Sequence, residues 1–478
     1  MKELNRETVS NFLDAPIKVI QFGEGNFLRA FVDWIFDVMN EKGLFEGKVA
    51  MVQPIDKGLG EMVNSQDGLY HLFLNGYEKG ELKEEIRLMR VVDGCINPYS
   101  EFEKFLDLAR MDSTDIIISN TTEAGIVFDE NDKFENKPAN TFPGKLTQLL
   151  YERFKTSSGD TTKGFTIIPC ELINKNADAL KKCVLQFITH WNLGEDFKAW
   201  VEAANTFHNT LVDRIVPGYP KENADEFKAK IGYNDKLMVA AEVFHLWVIE
   251  GGDELNKKIP FRESGLNVQL VDDITPYRDR KVKILNGSHT GMVPMSYLYG
   301  NRTVQETVED PFTKKFVEGQ VFQEILPSVN QPYDEKKQFA EDVIERFRNP
   351  SIKHLLASIA LNSVSKYKVR DLPSFMHYYL KNNEIPKHLA FSLSALIRFY
   401  KGEWEGRELP VNDNDDIVQF MKEAWSTGDY QRVAEKVLRN STFWDQDLTK
   451  INGLTEIIAS NLKNIDEIGI EEAFGRIN

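Results

Sequence analysis

Lys18-Val-Ile-Gln-Phe-Gly-Glu-Gly-Asn-Phe-Leu-Arg-Ala30 passes from an apolar segment through two glycines into residues with helical spacing. Phe27, Phe31, Trp34, Ile35 and Val38 continue that spacing as far as Met39. A strand, a Gly-x-Gly turn and a helix in this order free backbone N–H groups at a helix N-terminus, where a pyrophosphate can sit. Leu28 stands where the full dinucleotide fingerprint has its third glycine. By itself, therefore, the turn reads equally well as a cofactor site or a tight corner.

The segments that follow decide the fold class. Strand-like runs at Lys48–Val52, Asp115–Asn120 and Gly164–Glu171 alternate with helical spacing over Tyr99–Arg110, Leu146–Phe154 and Ala177–Trp191. Such alternation predicts a parallel sheet covered on both faces, a Rossmann-like doubly wound α/β domain. Between residues 69 and 92, turn signals at Asn75-Gly76 and Lys79-Gly80 predict a hairpin excursion. From about Lys281 onward strand-like runs nearly vanish, and helical repeats dominate over Ile352–Val364, Leu389–Tyr400 and Ile417–Trp425. The expected organisation is an N-terminal Rossmann-like domain over 1–275 and a mostly α-helical domain over 276–478, divided where Pro276 breaks the chain.

A chain of 478 residues is too long for one core, and its 42% hydrophobic and 28% charged residues give the mixture of globular domains. No window approaches the roughly 18 consecutive apolar residues of a membrane span, and the first residues lack the apolar run of a secretory signal. Three cysteines, an odd and sparse set, suit a reducing cytoplasm rather than a disulfide framework. A net charge of −16 argues against nucleic acid or an anionic membrane as partner, though a local cation cluster can still bind a small anion. No His or Cys spacing suggests a metal site. Oligomeric state is not legible.

Two further loops end predicted strands on the edge where open α/β sheets bind ligands. Asp56, in Gln53-Pro-Ile-Asp56, reads as an acceptor for an adenosine ribose or as a solvated loop carboxylate. Asn120 and Thr121, in Ser119-Asn-Thr-Thr-Glu-Ala-Gly125, read as contacts to a nicotinamide ribose or as caps for the next helix. Three such loops on one edge favour a nucleotide.

Arg280-Lys-Val-Lys-Ile-Leu-Asn-Gly-Ser-His289 carries the chemistry. At α-helical spacing Lys281, Asn286 and His289 fall at roughly 0°, 140° and 80°, within one half of the surface. Gly287 and Gly291 are expected to leave room beside them for a ligand. A lysine can act as general acid or base, an asparagine amide can stabilise a forming alkoxide, and a histidine can orient a hydroxyl. A solvated basic helix start with a core histidine is the competing reading.

The Lys-x4-Asn-x2-His spacing is the catalytic signature of the polyol-specific long-chain dehydrogenases, the mannitol dehydrogenase family. This chain resembles them there position for position, at Lys281, Asn286 and His289. Gly23-Glu-Gly-Asn-Phe27 looks like the cofactor turn of that family, which needs no third glycine. The resemblance implies NAD as cofactor, with Gly23, Gly25, Asn26 and Phe27 in its turn. It also implies a substrate near Asn176 and Asp213. Further stretches, among them Pro169-Cys-Glu-Leu-Ile173, Thr210-Leu-Val-Asp-Arg-Ile-Val216 and Arg346-Phe-Arg-Asn-Pro350, look like a sugar-acid branch of the family. The reaction so implied interconverts D-tagaturonate and D-altronate, with fructuronate or a free polyol as the alternative substrate. Phe31 and Ser358 depart from the polyol pattern, Ser358 standing where an arginine is usual. A uronate carboxylate needs a cation, and Lys366, Lys368 and Arg370 are the candidates, Lys366 and Arg370 the expected partners and Lys368 reading equally well as part of a solvated turn before Pro373. An adenosylmethionine methyltransferase or a non-catalytic nucleotide-binding protein would leave Lys281, Asn286 and His289 without a use.

Overall fold

The structure, a computed structural model, describes residues 1–10, 12–122 and 124–477. Its backbone contacts divide the chain into two compact units, Met1–Ile274 and Thr275–Asn478.

The first unit is built on six parallel strands: β1 (Ile17–Phe22), β2 (Lys48–Val52), and, after a hairpin of β3 (Tyr70–Glu78) and β4 (Glu81–Met89), β5 (Val92–Ile96), β6 (Ile116–Ser119), β7 (Thr166–Pro169) and β8 (Thr206–Phe207). Their order is β5-β2-β1-β6-β7-β8. The chain starts in the middle, winds out one way and then crosses to the other side, so a topological switch lies between β1 and β6. Side chains alternate between two buried clusters. Val19, Met51, Ile116 and Ile168 face one, while Ile20, Val52, Ile117 and Ile167 face the other. Burial of both faces is why these strands read as unbroken apolar runs.

One face is covered by the helices Phe102–Arg110, Phe142–Thr156, Asn176–His190 and Glu195–Ala204. The other is covered partly by strands. There the helical run after the glycine turn breaks at Phe31 (φ −127°, ψ −76°) into α1 (Asn26–Ala30) and α2 (Val32–Glu41). Beside them lie the β3–β4 hairpin and β9 (Thr210–Asp213), β10 (Val239–Glu242), β11 (Leu246–Glu250) and β12 (Val268–Val271). β10 joins the hairpin in a three-stranded sheet, and β9, β11 and β12 form another. These four strands were not expected from the sequence. The hairpin turns at Lys79-Gly80, whose φ values are +54° and +83°, whereas Asn75-Gly76 lies inside β3 opposite Glu84 and Lys83. Left-handed φ at both central positions matches the right-handed twist of the strands, which an interior glycine need not provide.

The second unit is helical, apart from a two-residue ladder at Glu403–Trp404 and Arg407–Glu408. At its centre a π-helical segment, Lys281–Gly287, runs into α3 (Ser288–Tyr299). Around it pack α4 (Ser363–Arg370) and α6 (Lys387–Phe399), while α5 (Leu372–Asn382) packs against α4 and the Gln320–Ser328 segment. The helix expected over Ile352–Val364 is interrupted. Only Leu356–Ile359 and the start of α4 are helical, and Asn362 between them adopts φ +52°. The three cysteines are buried and unpaired, and among the described residues no helix is long and apolar enough to cross a membrane.

Beneath the glycine turn lies a buried polar network. Gln21 Nε2 donates to the Gly23 carbonyl at 3.1 Å and to Asp33 at 3.4 Å. Tyr70 donates to the Arg29 carbonyl and to Asp33, at 2.8 and 3.3 Å. Burial pushes the Asp33 carboxyl up to about 7, against the hydrogen bonds and the Arg29 charge that favour its ionised form. The unfolded chain releases this proton near pH 4, whereas the folded protein holds it to about pH 7. Stability from this group therefore falls as pH rises through that window, by on the order of 4 kcal/mol at 1.36 kcal/mol per unit. Asp33→Asn should remove this component. Urea denaturation at pH 5 and pH 8 should find the variant gaining on the wild type at the higher pH, and a difference independent of pH would show that Asp33 does not titrate there.

Candidate active site

Three loops meet at the carboxyl ends of β1, β2 and β6, beside the switch where open sheets bind ligands. Gly23 has φ +122°, and a Cβ built on it would lie 3.0 Å from the Asn120 carbonyl oxygen. Only glycine lets the turn pass so close to the neighbouring strand end. Gly25 is different. It is the N-cap of α1 at φ −69°, without a side-chain cap, and a Cβ there meets nothing within 4 Å. The first turn of α1 thus has uncapped N–H groups with open space beside Gly25, a fit for a nucleotide phosphate.

Neighbouring side chains hold this arrangement. Arg29, buried beneath the turn, donates to the carbonyls of Glu24 and Leu237 and to Asn26 Oδ1. Asn26 therefore braces the turn, and its amide also fills the space over Gly218. Phe27 stacks on Phe31 with centroids 5.1 Å apart. Gln53, at the end of β2, donates to the carbonyls of Ile55 and Asp56 and accepts from Gly60 N. Glu24 accepts from Leu59 N, which ties this second loop to the first. Asp56 is left exposed at the strand end, where an adenosine ribose would be read.

In the third loop Asn120 donates to the Cys170 carbonyl, while Thr121 donates through its N–H and hydroxyl to Glu171. Ser119 holds the other oxygen of that carboxylate. Burial raises the Glu171 carboxyl above its ordinary range, and these hydrogen bonds oppose the rise. Thr122 has φ +106°, a strained geometry for a β-branched residue. Glu123 lies outside the described residues.

In the second unit, the π-helical turns change the expected geometry of Lys281, Asn286 and His289. An α-helix sets residues five apart at roughly 140°. A π-helix hydrogen-bonds i to i+5 and turns less per residue, so a residue five on lies much closer to the first around the axis. Asn286 is five residues after Lys281, and the two share one face far more closely than α-helical spacing allows. Asn286 accepts through its carbonyl from Thr290 Oγ1, and its side-chain amide makes no hydrogen bond among the described residues. The His289 ring is buried 4.3 Å from Phe347 and 5.0 Å from His354, which fixes its plane.

The room expected beside Gly287 and Gly291 is filled by protein. A Cβ at Gly287 would meet Asp371 Oδ1 at 3.2 Å, and one at Gly291 would collide with Gln320. These glycines permit close packing of α4 and of the helix carrying Gln320. They do not open a ligand space.

Lys366 and Arg370 lie one turn apart on α4. Arg370 donates to Thr290 Oγ1 at 3.1 Å, beside His289, and Lys366 donates to the Ile359 carbonyl at 2.9 Å. Burial lowers the pKa of each, and for Lys366 the nearby Arg370 charge adds to the effect. Asp371 opposes this fall for Arg370, while burial pushes its own carboxyl well above the usual range. Asp413 opposes the fall for Lys366, and two half-buried cations on one face are groups that can pair with an anion. Lys368 is instead taken by exposed Asp445, at 2.6 Å.

Two expected substrate contacts fall in the first unit, and one is corrected. The Asn176 amide is fully buried and engaged within the fold. It donates to the carbonyls of Pro169 and Glu171 and to Thr210 Oγ1, and accepts from the N–H groups of Thr210 and Ala177. Every lone pair and proton is committed, so Asn176 is a strut between β7 and β9. Asp213 is buried at the end of β9, opposite Leu246. The supports Gln53, Glu171, Gln320 and Asp371 were not singled out from the sequence; the last three act on residues distant along the chain, and Gln53 within its own loop through a fold of the backbone that only the structure shows. Among the described residues no group of three or more His, Cys, Asp or Glu side chains could hold a metal ion.

The family model for the mannitol dehydrogenase Rossmann domain matches residues 17–262, and that for the mannitol dehydrogenase C-terminal domain matches residues 273–466. The altronate oxidoreductase of Bacteroides thetaiotaomicron is 47% identical over 474 residues, covering 99% of each chain. That of Bacillus subtilis is 44% identical over 475 residues, covering 99% of this chain and 98% of the relative. Among solved structures, Pseudomonas fluorescens mannitol 2-dehydrogenase in ternary complex with NAD and D-mannitol superposes with a TM-score of 0.73 at 20% identity, covering 99% of both chains. A D-sorbitol dehydrogenase in substrate-free form gives 0.82 at 22% identity, covering 98% of this chain and all of the other. Both share the fold.

The contrast between the two glycines can be measured. Gly23→Ala should cost about 1–3 kcal/mol of stability, as expected for a side chain forced into a sparsely populated backbone region. Gly25→Ala, at an ordinary φ and with open space, should cost less. Equal losses in urea denaturation would contradict the close approach at Asn120.

Proposed function

The chain belongs to the mannitol dehydrogenase family, and we propose that it is an NAD-dependent oxidoreductase interconverting D-tagaturonate and D-altronate. The observation that carries the substrate class is the cation pair Lys366 and Arg370 beside the segment bearing Lys281, Asn286 and His289. Relatives named altronate oxidoreductase, similar over the full chain, support the same reading. Fructuronate and free polyols are not favoured. A free polyol would also leave two desolvated cations without a partner.

The cofactor is held by the first unit. Gly23 and Gly25 admit its pyrophosphate, Asp56 accepts from the adenosine ribose, and Asn120 and Thr121 border the nicotinamide side. When bound, the nicotinamide donates or accepts the hydride. A carboxylate at position 56 disfavours the 2′-phosphate of NADP, which gives the preference for NAD. Asn26 and Phe27 support the turn from beneath.

In the reductive direction the amide of Asn286 donates a hydrogen bond to the ketone oxygen and stabilises the charge that develops on it. Lys281 Nζ passes a proton to the resulting alkoxide oxygen, and in oxidation the same amine removes that proton. The π-helical turns bring Lys281 and Asn286 onto one face, which lets both address one oxygen. His289, fixed by Phe347 and His354, orients a neighbouring substrate hydroxyl. Arg370 grips the substrate carboxylate, assisted by Lys366, while Asp213 is retained as a further candidate contact. No metal is needed, since the ammonium and the amide supply the electrophilic assistance. The substrate is a small sugar acid, with neither nucleic acid nor membrane as partner, and the reaction is assigned to the cytoplasm.

Lys281→Ala should lower kcat by about 10²–10⁴-fold, the usual contribution of a general acid–base group, and leave NADH affinity nearly unchanged. A variant with wild-type kcat would remove Lys281 from the mechanism.

The carboxylate reading is tested by kcat/KM for tagaturonate and for an uncharged ketose of similar shape, in Arg370→Ala and Lys366→Ala. Losing a charge-assisted hydrogen bond to a desolvated carboxylate should penalise tagaturonate by about tenfold or more beyond any effect on the ketose. Equal losses on both substrates in both variants would mean that neither cation reads the carboxylate.

A further inference from the structure

The helical unit gathers positive charge at a second place, around a hollow of about 430 Å³ lined by Gln323, Pro327, His377, Tyr378, Lys381 and Asn382. His377 and Lys381 lie one turn apart on α5. Two more cations are fixed beside the turn that contains Pro327. Lys283 Nζ donates to the Ser328 carbonyl at 2.9 Å, and Lys336 Nζ donates to the adjacent Val329 carbonyl at 2.8 Å. One ammonium group and an imidazole thus line the concavity and two further ammonium groups are held beside its wall, in a chain whose net charge is −16. The lining also contains one carboxylate, Glu384.

The cost of this clustering is visible in the groups themselves. His377 is lowered below its ordinary pKa by burial first, then by Lys381, Lys283 and Lys336. Lys336 is lowered by burial first, then by Lys381 and Lys283. The neighbouring charges acting on each are cationic, so the site is loaded with repulsion that a bound anion would relieve. Ammonium groups are compact point charges with rotatable donors and suit a tetrahedral dianion, whereas a planar carboxylate is better matched by a guanidinium fork. The hollow is larger than a phosphate needs and falls within the roughly 300–1,000 Å³ of small-molecule sites. The Tyr378 ring and the Gln323 and Asn382 amides offer surfaces for an organic moiety.

We propose that this hollow binds a small phosphorylated metabolite, its phosphoryl group held by Lys381 and His377, with Lys283 and Lys336 adding positive charge from beside the Pro327 turn. It uses different residues from those assigned to the substrate. Lys283 is two residues beyond Lys281, roughly half a turn round the helix and so on its opposite side.

The test is calorimetric titration of the full-length protein, in phosphate-free buffer with ionic strength held by KCl, using inorganic phosphate and a hexose 6-phosphate as probes. Both should bind saturably, the hexose phosphate more tightly. In the double variant Lys336→Ala/Lys381→Ala affinity for each should fall at least tenfold, while kcat/KM for the ketouronate in the same buffer stays at the wild-type value. That unchanged turnover also reports that the variant is folded. The proposal is overturned if neither probe binds saturably, or if the double variant binds them as the wild type does. Tighter binding of inorganic phosphate than of the hexose phosphate would overturn the organic ligand.

Discussion

Between Lys281 and Gly287 the backbone hydrogen-bonds five residues ahead instead of four, and the arrangement of the side chains around this segment depends on that wider turn. It brings Lys281 and Asn286 onto one face, as the proposed use of both on one oxygen requires. It ends at Gly287, where the absence of a side chain lets Asp371 and the end of α4 approach. That approach in turn carries Arg370 to within a hydrogen bond of Thr290. An ordinary α-helix of the same sequence would separate the two donors by roughly 140°.

Burial of charge does the remaining work near this segment. A fully desolvated carboxyl beside an arginine would normally form an ion pair and cancel it. Here burial pushes the Asp371 carboxyl well above its ordinary range, and the Arg370 guanidinium reaches Thr290 instead. Lys366 on the same face adds a second cation, while Lys368, pointing elsewhere on the helix, is neutralised by Asp445. The distinction among three basic residues within five positions is thus made by what each one meets after folding.

In the first unit, buried polar side chains take the place of the missing third glycine in organising the nucleotide edge. Arg29 gathers the carbonyls under the turn, Gln53 shapes the loop after β2, and Glu171 holds the loop after β6. Each satisfies backbone groups that burial would otherwise leave unpaired, at a cost of roughly 1–3 kcal/mol apiece. The loops at this edge are therefore supported from below, and their outward groups remain open to a ligand.

The sequence by itself determined the parallel sheet, because strands buried on both faces must be continuous apolar runs and crossover helices must separate them. It also determined the family, through the spacing of Lys281, Asn286 and His289 and the turn at Gly23 and Gly25. Only the tertiary structure decided matters that depend on partners far along the chain. The strands at Thr210–Asp213 and Val239–Val271 are short, and their pairing with each other and with the hairpin has no local signature. Asn176 became a strut because β9 supplies Thr210 to it across 34 residues. The π-helical register was hidden because periodicity is read at an assumed 3.6 residues per turn, and nothing in ten residues of sequence announces a departure from it. Side-chain chemistry is local and survives in the sequence; burial, which sets whether that chemistry is free to act, is a property of the folded whole.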